Sequence, residues 1–178
     1  MAILKFETRT PRSLPEMYNY LVDCNKTDRD YILGIGVNPL HAVEEMLFVQ
    51  RCFYKNNLEH PYVQVIFSFA PNEQPHLYTV KKVCEEIGHV LILDERQVFG
   101  AIHFKNTSNI HCHFLINYIN VKGELYRQNL PLTFYKEKVN EVLSKNVLPQ
   151  SLIYYYKKYW VNYRKEGNCY GCSEKLLL

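Results

Sequence analysis

Gly100-Ala-Ile-His103-Phe-Lys-Asn-Thr-Ser-Asn-Ile-His111-Cys-His113-Phe-Leu-Ile-Asn117 is the stretch on which the reading of this chain turns. Side chains two apart on a strand share a face, so His111, His113 and Asn117 point one way, while Ile110, Cys112, Phe114 and Ile116 form an apolar stripe on the other. In the segment before, His103 alternates against Val98 and Ile102, and the polar run from Lys105 to Asn109 turns the chain back. Gln97–His103 and Ile110–Ile119 are therefore predicted to pair as a hairpin, which sets His103 across from the other two histidines. Three imidazoles on one sheet face make a metal site with positions left open for substrate or water. A single histidine in a strand is more often a satisfied or surface residue. The His-x-His pair opposite a full apolar stripe, with a third histidine on the neighbouring strand, tips the balance to metal binding.

Working outward, Ile3–Thr8, Tyr31–Val37 and Tyr62–Phe69 read as further strands. Ser13 is a natural N-cap with Pro15 in the first turn, opening a helix that carries Met17, Tyr18, Tyr20 and Leu21 to about Asp23. Asn38-Pro39 is predicted to open a second helix with Ala42, Val43, Met46, Leu47 and Phe53 on its apolar stripe. Leu77–Ile87 has helical spacing with Gly88 as its stop, and Leu132–Leu143 fits a fourth helix. On strand Tyr62–Phe69, Ser68 shares a face with Tyr62, Gln64 and Ile66. This order of elements predicts an α+β fold, an antiparallel central sheet flanked by helices with the histidines on central strands.

A length of 178 residues with 47% hydrophobic and 22% charged residues suits one domain with an ordinary core and excludes disorder. The net charge of +3 gives no broad basic field, so any affinity for nucleic acid has to come from local patches. No run approaches the ~18 uncharged apolar residues of a membrane helix, and the start lacks a signal-peptide pattern. The expectation is a cytoplasmic protein with no membrane partner. Cys24, Cys52, Cys84 and Cys112 read as small buried hydrophobes. Cys169 and Cys172 form a CxxC without the second pair that a structural zinc needs. Residues 1–147 are expected to form the functional domain and 148–178 a basic aromatic extension. In that extension Tyr154 to Lys165 either stacks on single-stranded nucleic acid or packs on the sheet.

The histidine stretch resembles motif III of conjugative relaxases, the plasmid-mobilisation nucleases of the HUH endonuclease superfamily: a histidine, a polar turn, His-x-His, and an asparagine four residues later. Tyr18-Asn-Tyr20-Leu-Val-Asp-Cys-Asn-Lys26-Thr27 is similar to motif I of the P-type mobilisation relaxases, and Gly36-Val-Asn38 to their glycine–asparagine segment. Val65-Ile-Phe-Ser68-Phe-Ala-Pro71-Asn-Glu73-Gln-Pro75 is similar to motif II. The resemblance spans about Lys5 to Lys145, with the motifs in register.

The resemblance implies an HUH-relaxase-like fold and a strand-specific transesterification on DNA at an origin of transfer. In that reaction a tyrosine hydroxyl attacks the scissile phosphate and leaves a 5′-phosphotyrosine and a free 3′-hydroxyl. Tyrosine phenols titrate near pH ~10, so the nucleophile needs help, which a divalent cation gives by polarising the phosphate oxygens. It further implies Tyr20 as nucleophile with Tyr18 in reserve, His103, His111 and His113 as ligands of Mn or Mg, with Zn as a third candidate, and Ser68, Lys26, Lys105 and Asn117 as DNA-binding residues. The implied partners are single-stranded or hairpin DNA at the origin of transfer and auxiliary mobilisation proteins. Asn117 has the alternatives of orienting a ligand histidine or of being simply a polar residue on the exposed face.

One position departs from the pattern. The family commonly carries an acid two residues after the first histidine, where this chain has Lys105. Glu73, Asp94 and Glu95 are the candidate replacements. Lys105 favours an alternative reading, a degenerate relaxase-like protein that binds DNA without cutting it. A replication initiator of the same superfamily is a further alternative, opposed by the placement of the tyrosine before the histidines.

Overall fold

The computed structural model describes residues 1–7, 12–55, 57–92, 94–127 and 130–153. The basic aromatic stretch from Tyr154 to Lys165 and the Cys169/Cys172 pair lie outside the described residues. Five strands, β1 (Ile3–Glu7), β2 (Ile32–Ile35), β3 (Tyr62–Ser68), β4 (Val98–His103) and β5 (His111–Asn117), form one antiparallel sheet in the order β1-β3-β5-β4-β2. Among the described residues four α-helices flank it: α1 (Leu14–Leu21), α2 (Ala42–Cys52), α3 (Leu77–Leu91) and α4 (Leu132–Lys145). This is the α+β architecture that the alternation predicts. None of the described helices is long and apolar enough to cross a membrane.

β5 sits at the centre of the sheet, and the register follows from its alternation. Cys112, Phe114 and Ile116 join Val63, Val65, Phe67, Val98 and Ile102 on one face, where α3 (Val80, Val83, Cys84, Ile87) and α4 (Tyr135, Val139, Leu143) bury them. Burying each such large side chain contributes roughly 1.5–3 kcal/mol, so this face holds most of the core. Leu148 and Ile153 pack into the same cluster.

The histidine face is covered as well. Tyr62, Phe99, Ala101 and Leu115 bury against Leu14, Met17 and Leu21 of α1 and Ala42 and Met46 of α2. That second layer corrects the expectation of an exposed polar face around Asn117, which is fully buried beneath it. α1 starts as the sequence predicts: the Ser13 hydroxyl accepts from the Glu16 N–H and the Glu16 carboxylate accepts from the Ser13 N–H, a reciprocal cap with Pro15 inside the first turn.

Three local expectations are corrected. α2 starts at Ala42, after an Asx turn in which the Asn38 side chain accepts from the Leu40 N–H. The chain between β2 and α2 doubles back so tightly that a Cβ on Gly34 would lie 2.2 Å from the Val37 carbonyl oxygen. Gly88 lies inside α3 and does not end it: α3 crosses β2 there, and a Cβ would come within 2.5 Å of Ile35 Cδ1. Of the four scattered cysteines, Cys84 and Cys112 are buried, whereas Cys24 and Cys52, near helix ends, are exposed.

Candidate active site

The end of the β4–β5 hairpin brings the three histidines together. His103 and His111 are direct register partners, and His113 pairs with Ala101. Their ring centroids stand 4.8 to 5.2 Å apart, and one nitrogen from each ring lies within 4.8 Å of the others. Each ring is also held from outside. Nε2 of His103 is 2.9 Å from the Leu21 carbonyl oxygen, and Nδ1 of His111 is 2.9 Å from that of Asn109. A carbonyl can only accept, so those nitrogens carry the proton. Lone pairs remain on Nδ1 of His103 and Nε2 of His111.

The third ring is held by a side chain. The Gln64 amide nitrogen lies 2.8 Å from Nδ1 of His113, with both residues buried. The nitrogen and oxygen of an amide are assigned from the network around it, and a half-turn of this one would set its oxygen on Nδ1 as acceptor and free Nε2 of His113 for a cation. Burial lowers the His103 pKa and lowers that of His113 to about 3, with the neighbouring imidazoles adding to the effect on His113. Both rings are neutral at physiological pH, which is the state that binds a cation. The donor set therefore fits a divalent metal. Among the described residues no carboxylate or thiol joins this cluster.

Tyr20 stands beside it. It is the last residue but one of α1, and its ring meets His103 and His113 edge-on at 6.2 and 6.5 Å between centroids. The bond from His103 to the carbonyl of Leu21, the next residue, ties the helix end directly to a metal-ligand candidate. Two cations lie over the Tyr20 ring, Lys26 Nζ at 3.2 Å and the Arg12 guanidinium at 4.5 Å from the centroid. Tyr20 is 39% exposed and so reachable by a large substrate.

The reserve candidate, Tyr18, faces elsewhere. Its hydroxyl donates to the Pro39 carbonyl at 3.1 Å, its ring packs on Phe99, and burial raises its pKa. Tyr62, from β3, is fully buried with its phenol pushed up to about 12 by burial, and it donates to the Arg12 carbonyl.

The structure distributes the remaining candidates as follows. Ser68 ends β3 directly across from His111. Lys26 is at the site, over Tyr20. The Lys105 ammonium turns away to the loop after α1, donating to the carbonyls of Cys24 and Thr27 and pairing with Asp28. Asn117 does not orient a histidine. Its amide donates to Met46 O and Gln97 Oε1 and accepts from Gln50, which locks α2 to the sheet. The position beside a ligand belongs instead to Gln64.

Asp94 is paired with Arg96 and Glu95 with Lys122, both ahead of β4 and so at the opposite end of that strand from His103. The carboxylate whose charge does reach His103 is Asp23, at the end of α1. Sequence reasoning passed over Gln64 and Arg12. Gln64 carried a signal, since its alternation with Ser68 aims it at the histidine face. Arg12 carried none, because the loop before α1 has no periodicity to orient it.

Comparison with known proteins bears on the family and the fold. The family model "Relaxase: MobA/VirD2-like, nuclease domain" matches residues 20–147. A solved structure described as "Molecular Basis of Vancomycin Resistance Transfer in Staphylococcus aureus" superposes with a TM-score of 0.54 over 82% of this chain and 94% of that one, at 14% identity. At that identity the likeness speaks for the fold. Curated proteins give no match.

Proposed function

Since the chain belongs to the MobA/VirD2-like relaxase nuclease family, we propose that it nicks one DNA strand at an origin of transfer through a covalent bond to Tyr20. The observation that carries this is the exposed Tyr20 ring set beside the neutral imidazoles of His103 and His113, two of a cluster of three histidines. The Tyr20 oxygen attacks the scissile phosphorus and loses its proton to solvent. The bond from phosphorus to the 3′ oxygen breaks, and that oxygen leaves as a hydroxyl on taking up a proton. The product is a 5′-phosphotyrosine, and the same geometry run backwards rejoins the strand.

His103, His111 and His113 would hold the cation, which as Mn or Mg would supply Lewis-acid neutralisation of the charge that builds on the phosphate. Lys26 and Arg12, already over the Tyr20 ring, take the phosphate oxygens beside the nucleophile. Ser68, across from His111, meets the DNA backbone next to the cut. The 3′-hydroxyl strand stays bound without a covalent link, which permits the reversal.

A second reading is a relaxase-like protein that binds DNA without cutting. It is favoured by the lack of a carboxylate in the histidine cluster among the described residues. One experiment separates the two. Labelled single-stranded and hairpin origin candidates are incubated with the protein and Mn or Mg, then run under denaturing conditions. Cutting gives a denaturant-resistant protein–DNA species that Tyr20→Phe abolishes. Retarded DNA in a native gel with no such species at any metal concentration establishes the second reading.

A further inference from the structure

We infer that Lys105 is a positioning residue that fixes the loop holding Lys26 over Tyr20, an inference that rests on the reading of Tyr20 as nucleophile. The loop from Asp23 to Asp28 joins α1 to the short 3-10 turn at Arg29–Tyr31. Its own bonds centre on Asp23: the N–H groups of Lys26 and Thr27 both donate to the Asp23 carbonyl, and the N–H and side-chain amide of Asn25 donate to the Asp23 carboxylate. The end of β4 grips it from outside. The N–H groups of Phe104 and Lys105 donate to the Lys26 carbonyl at 3.0 and 3.1 Å, and the Asn106 amide donates to the Asn25 carbonyl at 3.0 Å. The Lys105 ammonium then donates to the carbonyls of Cys24 and Thr27, each at 3.2 Å, and to the Asp28 carboxylate.

All three ammonium hydrogens thus have acceptors on one loop. From the middle of that loop Lys26 reaches back, its Nζ 3.2 Å from the Tyr20 ring centre and 3.2 Å from the Tyr20 carbonyl oxygen. A carboxylate at position 105 would face two carbonyl oxygens and Asp28, every one of them repelling it. Lysine is the side chain that this loop requires. Asp28 balances its charge. The departure at position 105 therefore gives the strand end a second task, to register the nucleophile.

The test compares Lys105→Met and Lys105→Glu with the charge swap Lys105→Glu/Asp28→Lys in the full chain. Three readouts are taken: amide hydrogen exchange over residues 20–28, the rate of adduct formation at saturating single-stranded DNA with Mn, and the salt dependence of DNA binding. Positioning predicts faster exchange across 22–28 in Lys105→Met and more so in Lys105→Glu. It predicts adduct formation slowed about tenfold or more, the scale of an ångström-sized misplacement, and partial recovery of both in the charge swap, which restores the ion pair with residue 28 but not the bonds to the two carbonyls. The salt slope stays unchanged. Exchange in Lys105→Met equal to that of the unaltered protein overturns the inference. So does a salt slope reduced by about one phosphate contact with the saturated rate intact, which would make Lys105 a DNA ligand. If the unaltered protein forms no adduct, the nicking reading fails by itself, while hydrogen exchange and its partial restoration in the charge swap still decide the role of Lys105.

Discussion

At the scale of single residues, the site is defined by which groups are held neutral and which are held in reach. Tyr18 and Tyr20 are two apart on one helix, yet only Tyr20 faces the histidines. Tyr18→Phe removes one hydrogen bond to Pro39 and should lower stability by about 1 kcal/mol while leaving the adduct intact. Tyr20→Phe should leave stability within about 0.5 kcal/mol and abolish the adduct. Denaturant melts and a denaturing gel separate the two. His113 gives a pH signature in the metal-free protein. Unfolded, it binds a proton near pH 6.5, but folded only near pH 3, because burial disfavours its charged form. The unfolded chain therefore holds more protons between those limits, and stability falls as pH drops below about 6.5. The slope approaches 1.4 kcal/mol per pH unit from this residue alone, about 2 kcal/mol lost between pH 7 and 5. His103 adds in the same direction. Urea unfolding across that range checks it, and His113→Gln should flatten the profile.

At the scale of elements, the hairpin was readable because period-two alternation fixes faces: His103 opposite His111 is the register that the alternation demands. The α1 cap was readable from Ser13, Pro15 and Glu16 for the same local reason. What alternation could not tell is what lies on top of a face. α1 and α2 cover the histidine side, so Asn117 became a buried clamp between α2, β4 and β5 where strand pattern alone left it exposed or beside a ligand. Asn117→Ala should therefore destabilise the fold by about 3 kcal/mol, since it strands the buried amides of Gln50 and Gln97. A substitution at a mere surface contact to DNA would cost almost nothing in stability, so a thermal melt distinguishes the two roles. Gly88 is the same lesson in a helix. A glycine near the end of a periodic run reads as a stop, but here it lies inside α3 where the helix passes Ile35 of β2. Lys105 and Lys26 were legible as charges, and their targets were not, because a lysine reaches about as far as any loop near it and the sequence does not say which loop is near.

At the scale of the whole molecule, one hydrogen bond summarises how the fold makes a site. His103, at the end of a central strand, donates to the carbonyl of Leu21, next to Tyr20. In the proposed reaction the sheet supplies the ligands and the helix the phenol, and this bond ties one to the other. A cation that binds the folded histidines and not the unfolded chain should raise stability by about 2.7 kcal/mol at a hundred times its dissociation constant, a gain that His111→Ala removes in a thermal melt. The most direct test of the geometry is paramagnetic broadening by Mn(II) in protein labelled with 13C in its tyrosine rings. At one equivalent of Mn(II), the Tyr20 ring signal should broaden beyond detection, the exposed Tyr54, which follows α2 near the Asn117 end of β5, should stay sharp, and His111→Ala should restore Tyr20. A Tyr20 signal that remains sharp while the ion is bound would contradict the account.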